Sequence, residues 1–291
     1  MGDRQRRWID LHLHSTASDG RYPPAKVVEL AAGRNLSAIA LTDHDTIDGL
    51  AEAATAARDA RIEFINGVEI EAAHGRRRLH LLAYDFDPGS SLLRKALTAL
   101  IEQRHARNRQ IIARLNELGV EIEYEPIVER AKGSAIGRPH IAEELVRHRA
   151  VSSFQQAFSK YLGNEAPAYV PRETIETARA ISIMGQAGGL VSLAHPGRVK
   201  VSSSLELATL VADLRDQGLA AIEVLHPDHN EAQVRQFAEL ARRFGLLPTG
   251  GSDFHSLGKA VHRGAGFAKR LVPYEWLEAV REKKKPTRIT E

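Results

Sequence analysis

Apolar and polar positions along this chain follow two different periods. Runs of strand length and apolar character cover Trp8 to His14, Ala38 to Thr42, Ile62 to Ile70 and Arg78 to Tyr84. Between them, Pro24 to Gly33 and Asp48 to Ala60 space apolar residues three and four apart, which predicts helices. The first opens on proline and the second has Asp48 as its expected cap. The last third repeats the alternation. Helices are expected over Glu173 to Ala187, Leu205 to Gln217, Glu231 to Phe244 and Tyr274 to Glu282, with strands over Leu190 to Ala194, Ala220 to Leu225 and Leu246 to Gly250. Strands alternating with helices of this length predict parallel α/β architecture.

The middle differs. From about Ser90 to Gly163 the period is helical, broken at Gly119, Gly133 and Gly137. Such a stretch reads as a helical insertion that also caps a barrel mouth, because loops at the C-terminal strand ends surround the active site in barrels. The expected division is therefore 1–89 and 167–291 as two parts of one barrel, with 90–166 as the insertion.

Composition narrows the chemistry. A chain of 291 residues with 43% hydrophobic and 26% charged residues can bury a full-sized core. The formal charge of +3 tolerates anionic substrates without implying a nucleic-acid coat. There is no cysteine, which excludes disulfides, thiolate metal sites and a cysteine nucleophile, and fits a reducing compartment. Aromatic residues at 5% offer no long stacking platform for single-stranded nucleic acid. No apolar stretch approaches the roughly 20 residues of a membrane span, and the basic start does not lead into a signal-peptide core. A cytoplasmic location is expected, with no membrane and no obligate protein partner implied.

Histidines and acids collect where the strand-like runs end: Asp10-Leu11-His12-Leu13-His14, Thr42-Asp43-His44-Asp45, Gly67-Val68-Glu69, His80, His195 and Ser252-Asp253-Phe254-His255. Residues two apart on a strand share a face, so His12 and His14 can chelate one ion, and Asp253 and His255 likewise lie on one face. Asp43 and Asp45 flank His44 and are placed to orient its ring. Glu69 ends an apolar run, where an unpaired carboxylate is costly and a bridge between cations would compensate it; Glu71 shares its parity. Metal-dependent hydrolysis is the reading these residues support.

These segments, with Asp19-Gly20 and Ser192 to Arg198, resemble the ordered motifs of the PHP (polymerase and histidinol phosphatase) family. Gly137-Arg138-Pro139-His140 carries a narrower likeness to its stand-alone members, the 3′,5′-nucleoside bisphosphate phosphatases and 5′-3′ exoribonucleases. The resemblance implies a distorted (β/α)7 TIM-like barrel and three divalent ions, manganese first, with zinc or iron(II) open. It implies His12, His14, Glu69 and Asp253 on one ion, Glu69, His80 and His195 on a second, and Asp19, His44 and His255 on a third. Cations bridged by one carboxylate can bring the pKa of a shared water toward neutrality for attack on a phosphate monoester.

The leaving group is expected to take its proton from a metal-bound water or from a nearby histidine, for which His226, at the end of a strand, is the candidate. His74, His105, His148, His229 and His262 read as structural. Anion donors for the substrate are expected in Arg138 and His140 at a helix start, and in Arg198 after His195, with Ser134 and Lys200 as lesser candidates. Tyr84 and Phe86 either meet a base or pack in the barrel. The expected reaction is hydrolysis of the 3′-phosphate of a nucleoside 3′,5′-bisphosphate. The alternatives are 5′-3′ trimming of short 5′-phosphorylated RNA, histidinol phosphate hydrolysis, or a metal-stabilised scaffold without activity.

Overall fold

The computed structural model describes residues 7–131, 133, 135–257 and 271–284. It opens with β1 (Trp8–Leu13), α1 (Pro24–Ala32), β2 (Leu36–Leu41), α2 (Leu50–Asp59), β3 (Glu63–His74) and β4 (Arg77–Tyr84). A helical stretch follows: α3 (Ser91–Glu117), α4 (Glu125–Ala131), α5 (Arg138–Arg147) and the short α6 (Phe154–Ala157), which runs into a π turn at Phe158–Leu162. The chain then returns through β5 (Ile175–Glu176), α7 (Thr177–Gln186), β6 (Leu190–Leu193), α8 (Ser204–Asp216) and β7 (Ala221–Leu225). It closes with α9 (Glu231–Phe244), β8 (Leu247–Gly250), β9 (Val272–Pro273) and α10 (Tyr274–Lys284).

The sheet order is β8-β7-β6-β4-β3-β2-β1-β9, with β5 attached to β3. The segment after β8 reaches β1 through the pair Leu13 and Phe254, which nearly closes the sheet into a barrel. Not every pairing is parallel, contrary to the sequence expectation. β4 runs antiparallel to both β3 and β6, and β9 antiparallel to β1. Only Gly75 and Arg76 separate β3 from β4, and so short a link can only reverse the chain. Gly75 supplies the left-handed backbone, at φ 59°.

Two apolar layers sandwich the sheet. Ile39, Leu41, Val68, Ile70, Leu81 and Leu193 pack outward against the surrounding helices. Ile9, Leu11, Ala40, Ile65, Leu82 and Tyr84 pack in a second cluster with Leu277 and Val280 of α10. Tyr84 and Phe86 are both buried in the barrel packing. β1 changes layers partway along. A register shift lies between Asp10 and Leu13, so Leu11 belongs to one cluster and Leu13 to the other. The simple alternation expected of this strand is broken there, and a bulge of this kind re-aims the side chains beyond it.

α3 has neither glycine nor proline over its 27 residues and reaches about 40 Å. Leu93, Leu97 and Leu100 pack on the barrel, whereas Ile111, Ile112 and Leu115 pack in a separate cluster with Ile127, Ile141, Leu145 and Leu162. One continuous helix thus ties the helical stretch to the barrel. α2 begins at Leu50 with Gly49 at the cap position, not with Asp48 capping as expected. α7 begins later than Glu173 because Ile175 and Glu176 are drawn into β5. Among the described residues no helix is long and apolar enough to cross a membrane.

Candidate metal centre

Glu69 lies at the middle of the histidines, fully buried on β3. Its Oε2 stands 3.3 Å from His12 Nε2, 3.3 Å from His14 Nε2 and 3.1 Å from His44 Nδ1. Its Oε1 stands 2.7 Å from His80 Nδ1 and 3.1 Å from His195 Nε2. Asp253 supplies a second buried carboxylate, with Oδ1 3.5 Å from His12 Nε2 and 3.2 Å from His14 Nε2. Asp19 forms a third lobe, 3.2 Å from His255 Nε2 and 3.9 Å from His44 Nε2. Of the nine positions expected from the motifs, His12, His14, His44, His80 and His195 surround Glu69, and Asp253, Asp19 and His255 join the cluster through those histidines and one another.

The backbone reaches this geometry by departing from regular strands. Asp45, His195 and Asp253 follow β2, β6 and β8 respectively, and all three have positive φ, at 55°, 27° and 51°. Left-handed backbone costs a side-chain-bearing residue energy, and such strain gathers at functional sites. Gly251 permits the approach of β8 to β1. A Cβ there would lie 2.3 Å from His12 Cβ and 2.5 Å from His12 N.

Charge inside this cage is strongly coupled. Burial works against the carboxylate of Glu69, but His44, His80 and His12 hold its pKa well below the usual range. Burial likewise opposes a charged His14, yet Asp253 and Glu69 raise its pKa to about 10. His44 and His195 go the other way. Burial, helped by neighbouring imidazoles, pushes His44 down to about 3 and His195 to about 4. A cage holding neutral and protonated rings around shared carboxylates is poised to exchange protons for cations.

The donor set fits divalent metal. Among the described residues, buried atoms without a hydrogen-bond partner include His12 Nε2, both ring nitrogens of His14, His44 Nδ1, His255 Nε2, Asp19 Oδ1 and Glu69 Oε2. Leaving buried polar atoms unsatisfied is expensive, and here they gather in one place. Three groups have ligand atoms close enough to share an ion: His14, Asp19, His44 and His255; His12, His14, Glu69 and Asp253; His44, Glu69 and His80. Nitrogen and oxygen donors without sulfur suit Mn, Zn or Fe(II).

The partners that aim these rings differ in part from those the sequence predicts. Asp43 does not orient His44; it accepts from Ser15 N and Oγ and from Ser18 Oγ, fixing the loop between His14 and Asp19. Asp45 instead takes Arg104 Nε and Arg172 Nη2, both at 2.5 Å. Glu223 lies outside the strand-end pattern. It is fully buried on β7, with Oε1 3.0 Å from His12 Nδ1 and Oε2 accepting from His195 N at 2.6 Å. An acid within the apolar run Ala221 to Leu225 was the available signal.

The candidate substrate groups separate in space. Arg138 lines a cavity of about 360 Å³ at the cage mouth, together with Asp19, His44, His80, His255 and Phe158. His140 lies elsewhere, in a depression with Glu143 and Arg147, its Nδ1 accepting from Gly137 N at 3.1 Å. Arg198 donates to Asp253 Oδ2 at 2.7 Å and to Asp228, so it touches the cage through a carboxylate. His226 is buried, accepts from Asp228 N through Nδ1, and sets Nε2 3.5 Å from Asp253 Oδ2. It does not line the cavity. Lys200 is exposed, while Ser134 and His262 lie outside the described residues. His74, His105 and His148 bond to Thr177, Tyr124 and Glu144, and His229 is buried with Nδ1 donating to Val224 O.

A sequence profile of the PHP domain matches residues 10–161. The chain is 36% identical over 266 residues to a 3′,5′-nucleoside bisphosphate phosphatase of Chromobacterium violaceum, covering 91% of this chain and 93% of that protein. It is 34% identical over 246 residues to a 5′-3′ exoribonuclease of Haemophilus influenzae, covering 84% and 89%. The crystal structure of a Bifidobacterium adolescentis protein assigned as a metal-dependent phosphoesterase matches with a TM-score of 0.84. It is 28% identical, with 94% of this chain and 95% of that one covered.

Proposed function

The chain belongs to the PHP domain family of metal-dependent phosphoesterases, and we propose that it removes the 3′-phosphate of nucleoside 3′,5′-bisphosphates, releasing the 5′-nucleotide and phosphate. One observation carries this reading: a carboxylate-bridged histidine cage opens into a cavity of about 360 Å³ whose wall holds Arg104, Arg107, Arg138 and Arg172. A metal cage beside a cationic wall suits a small substrate with two separate phosphates.

His12, His14, Glu69 and Asp253 would hold one ion, Glu69, His80 and His195 a second, and Asp19, His44 and His255 a third, with manganese as the expected metal. When bound, the metals supply Lewis acidity and an activated water near neutral pH. The chain's own residues do the rest. Glu223 holds His12 by Nδ1 so that Nε2 faces Glu69 and Asp253. Arg198 holds Asp253 by Oδ2, leaving Oδ1 toward His12 and His14. The helical stretch 90–166 acts in this reading as a cap, since Arg104, Arg107, Arg138, Phe154 and Phe158 all come from it and line the cavity.

The test is phosphate release from metal-loaded protein, compared by kcat/KM across a nucleoside 3′,5′-bisphosphate, a 5′-phosphorylated oligonucleotide and histidinol phosphate. The bisphosphate should lead by at least tenfold. The Haemophilus influenzae relative favours a second reading, 5′-3′ exoribonuclease activity. A 5′-phosphorylated dinucleotide differs from a bisphosphate chiefly in its leaving group, and an oligonucleotide lead in the same comparison would select that activity.

A further inference from the structure

The segment after β6 carries two residues on which the cage depends. His195 Nε2 stands 3.1 Å from Glu69 Oε1, and Arg198 donates to Asp253 Oδ2 at 2.7 Å. His195 has left-handed backbone at φ 27°, and a single turn of 3-10 helix follows at Pro196–Arg198. Strained backbone persists only where its surroundings over-determine it, so the hydrogen bonds of this turn show what holds it.

Each N–H along the segment has an acceptor. His195 N donates to Glu223 Oε2 at 2.6 Å, Arg198 N to His195 O at 2.9 Å and Val199 N to Pro196 O at 3.1 Å, while Pro196 has no N–H to place. Gly197 N, in the middle, donates to His229 Nε2 at 3.3 Å. His229 is buried, and its Nδ1 lies 2.9 Å from Val224 O on β7. A carbonyl oxygen only accepts, so Nδ1 carries the proton and Nε2 turns a lone pair to Gly197. Burial favours this neutral ring, lowering its pKa against the pull of the Val224 carbonyl, Glu223 and Asp228.

Packing fixes the ring from its other sides. Phe237 of α9 meets it edge to face, with centroids 4.7 Å apart. Gly197 approaches so closely that a Cβ there would lie 2.8 Å from His229 Cδ2 and 3.0 Å from Gln233 Nε2. The turn is thus tied to β7 at two points, by Glu223 at its entry and by His229 at its middle.

We propose that His229 is a positioning residue for the metal centre: its neutral imidazole, bridging Val224 O and Gly197 N, fixes the Pro196–Arg198 turn against β7 and so aims His195 at Glu69 and Arg198 at Asp253. This rests on the metal-centre reading above and adds to it a histidine outside the nine expected ligands.

Two readouts test it on full-length protein, manganese binding by calorimetry and hydrogen exchange of the Gly197 amide in the chelated protein. His229→Leu fills the same space without an acceptor; it should raise the apparent manganese Kd by about tenfold or more, the usual scale for a lost ligand-orienting partner, and speed Gly197 exchange at least as much. His229→Gln can still offer an oxygen to Gly197 N and should hold the Kd within about threefold of wild type. Gly197→Ala, which displaces the ring from the other side, should weaken manganese as His229→Leu does and serves if that variant fails to fold. Equal losses in the Leu and Gln variants would report packing alone and overturn the proposal, as would unchanged manganese affinity in both His229→Leu and Gly197→Ala. A wild-type protein that takes up no manganese, zinc or iron(II) would sink the metal-centre reading itself, and this role with it.

Discussion

Glu223→Gln isolates what a carboxylate outside the cage does for the metal centre. The glutamate makes two bonds that both require an acceptor, with His12 Nδ1 at 3.0 Å and His195 N at 2.6 Å. As a carboxylate it accepts both protons, which leaves His12 Nε2 as a lone pair facing Glu69 and Asp253. A glutamine of the same shape cannot do this. If its oxygen takes the His195 amide, its NH2 faces His12 and drives the ring proton onto Nε2, where a ligand lone pair is needed. If it flips, two donors meet at His195. Either mismatch is buried and costs about 1–3 kcal/mol. Losing a partner that orients a ligand typically weakens metal affinity 10- to 100-fold, or about 1.4–2.7 kcal/mol. Metal titration followed by kcat/KM at saturating metal is the assay. The apparent metal Kd should rise by at least tenfold, with partial recovery of activity at high metal. A Kd within twofold of wild type would refute the argument that Glu223 sets the His12 tautomer.

Glu69→Gln should lower kcat/KM by at least a thousandfold even with excess metal, because five imidazole nitrogens lie within 3.3 Å of its two oxygens; activity within tenfold of wild type would exclude a central bridge. Exhaustive chelation should abolish turnover and lower Tm, with manganese restoring both; a chelated enzyme that stays fully active would contradict the metal assignment. Arg172 and His80 depress Glu71 to about 2 against the pull of burial, so its contribution to stability, at most about 3 kcal/mol, is complete above its unfolded pKa near 4.5 and is lost as pH falls toward about 2. The Tm gap between wild type and Glu71→Gln should therefore be widest above pH 5 and narrow below pH 4.5; a gap independent of pH would discount the pair. Gly251→Ala should destabilise by about 3 kcal/mol or more and weaken metal binding, because its Cβ would land 2.3 Å from that of His12; unchanged thermal stability and metal affinity would show that the strand junction yields.

Local side-chain pattern made legible roughly where each element runs and which histidines and acids gather in the buried cluster. Strand and helix periods follow from local side-chain pattern, and histidines or acids at successive strand ends are visible without coordinates. What it left undecided depends on contacts between distant segments. The two-residue link from β3 to β4 forces an antiparallel pair into a sheet that alternation alone predicts as parallel. The bulge in β1 moves Leu13 into a different packing layer from Leu11, against the parity read from the strand. Asp43, beside His44 in the chain, serves Ser15 and Ser18, whereas Glu223 reaches His12 across 211 positions. Candidate ligands are recognised by residue type and local spacing. The orientation of each ligand is set by whatever donor or acceptor the closed barrel brings beside it, and only the tertiary fold chooses that neighbour.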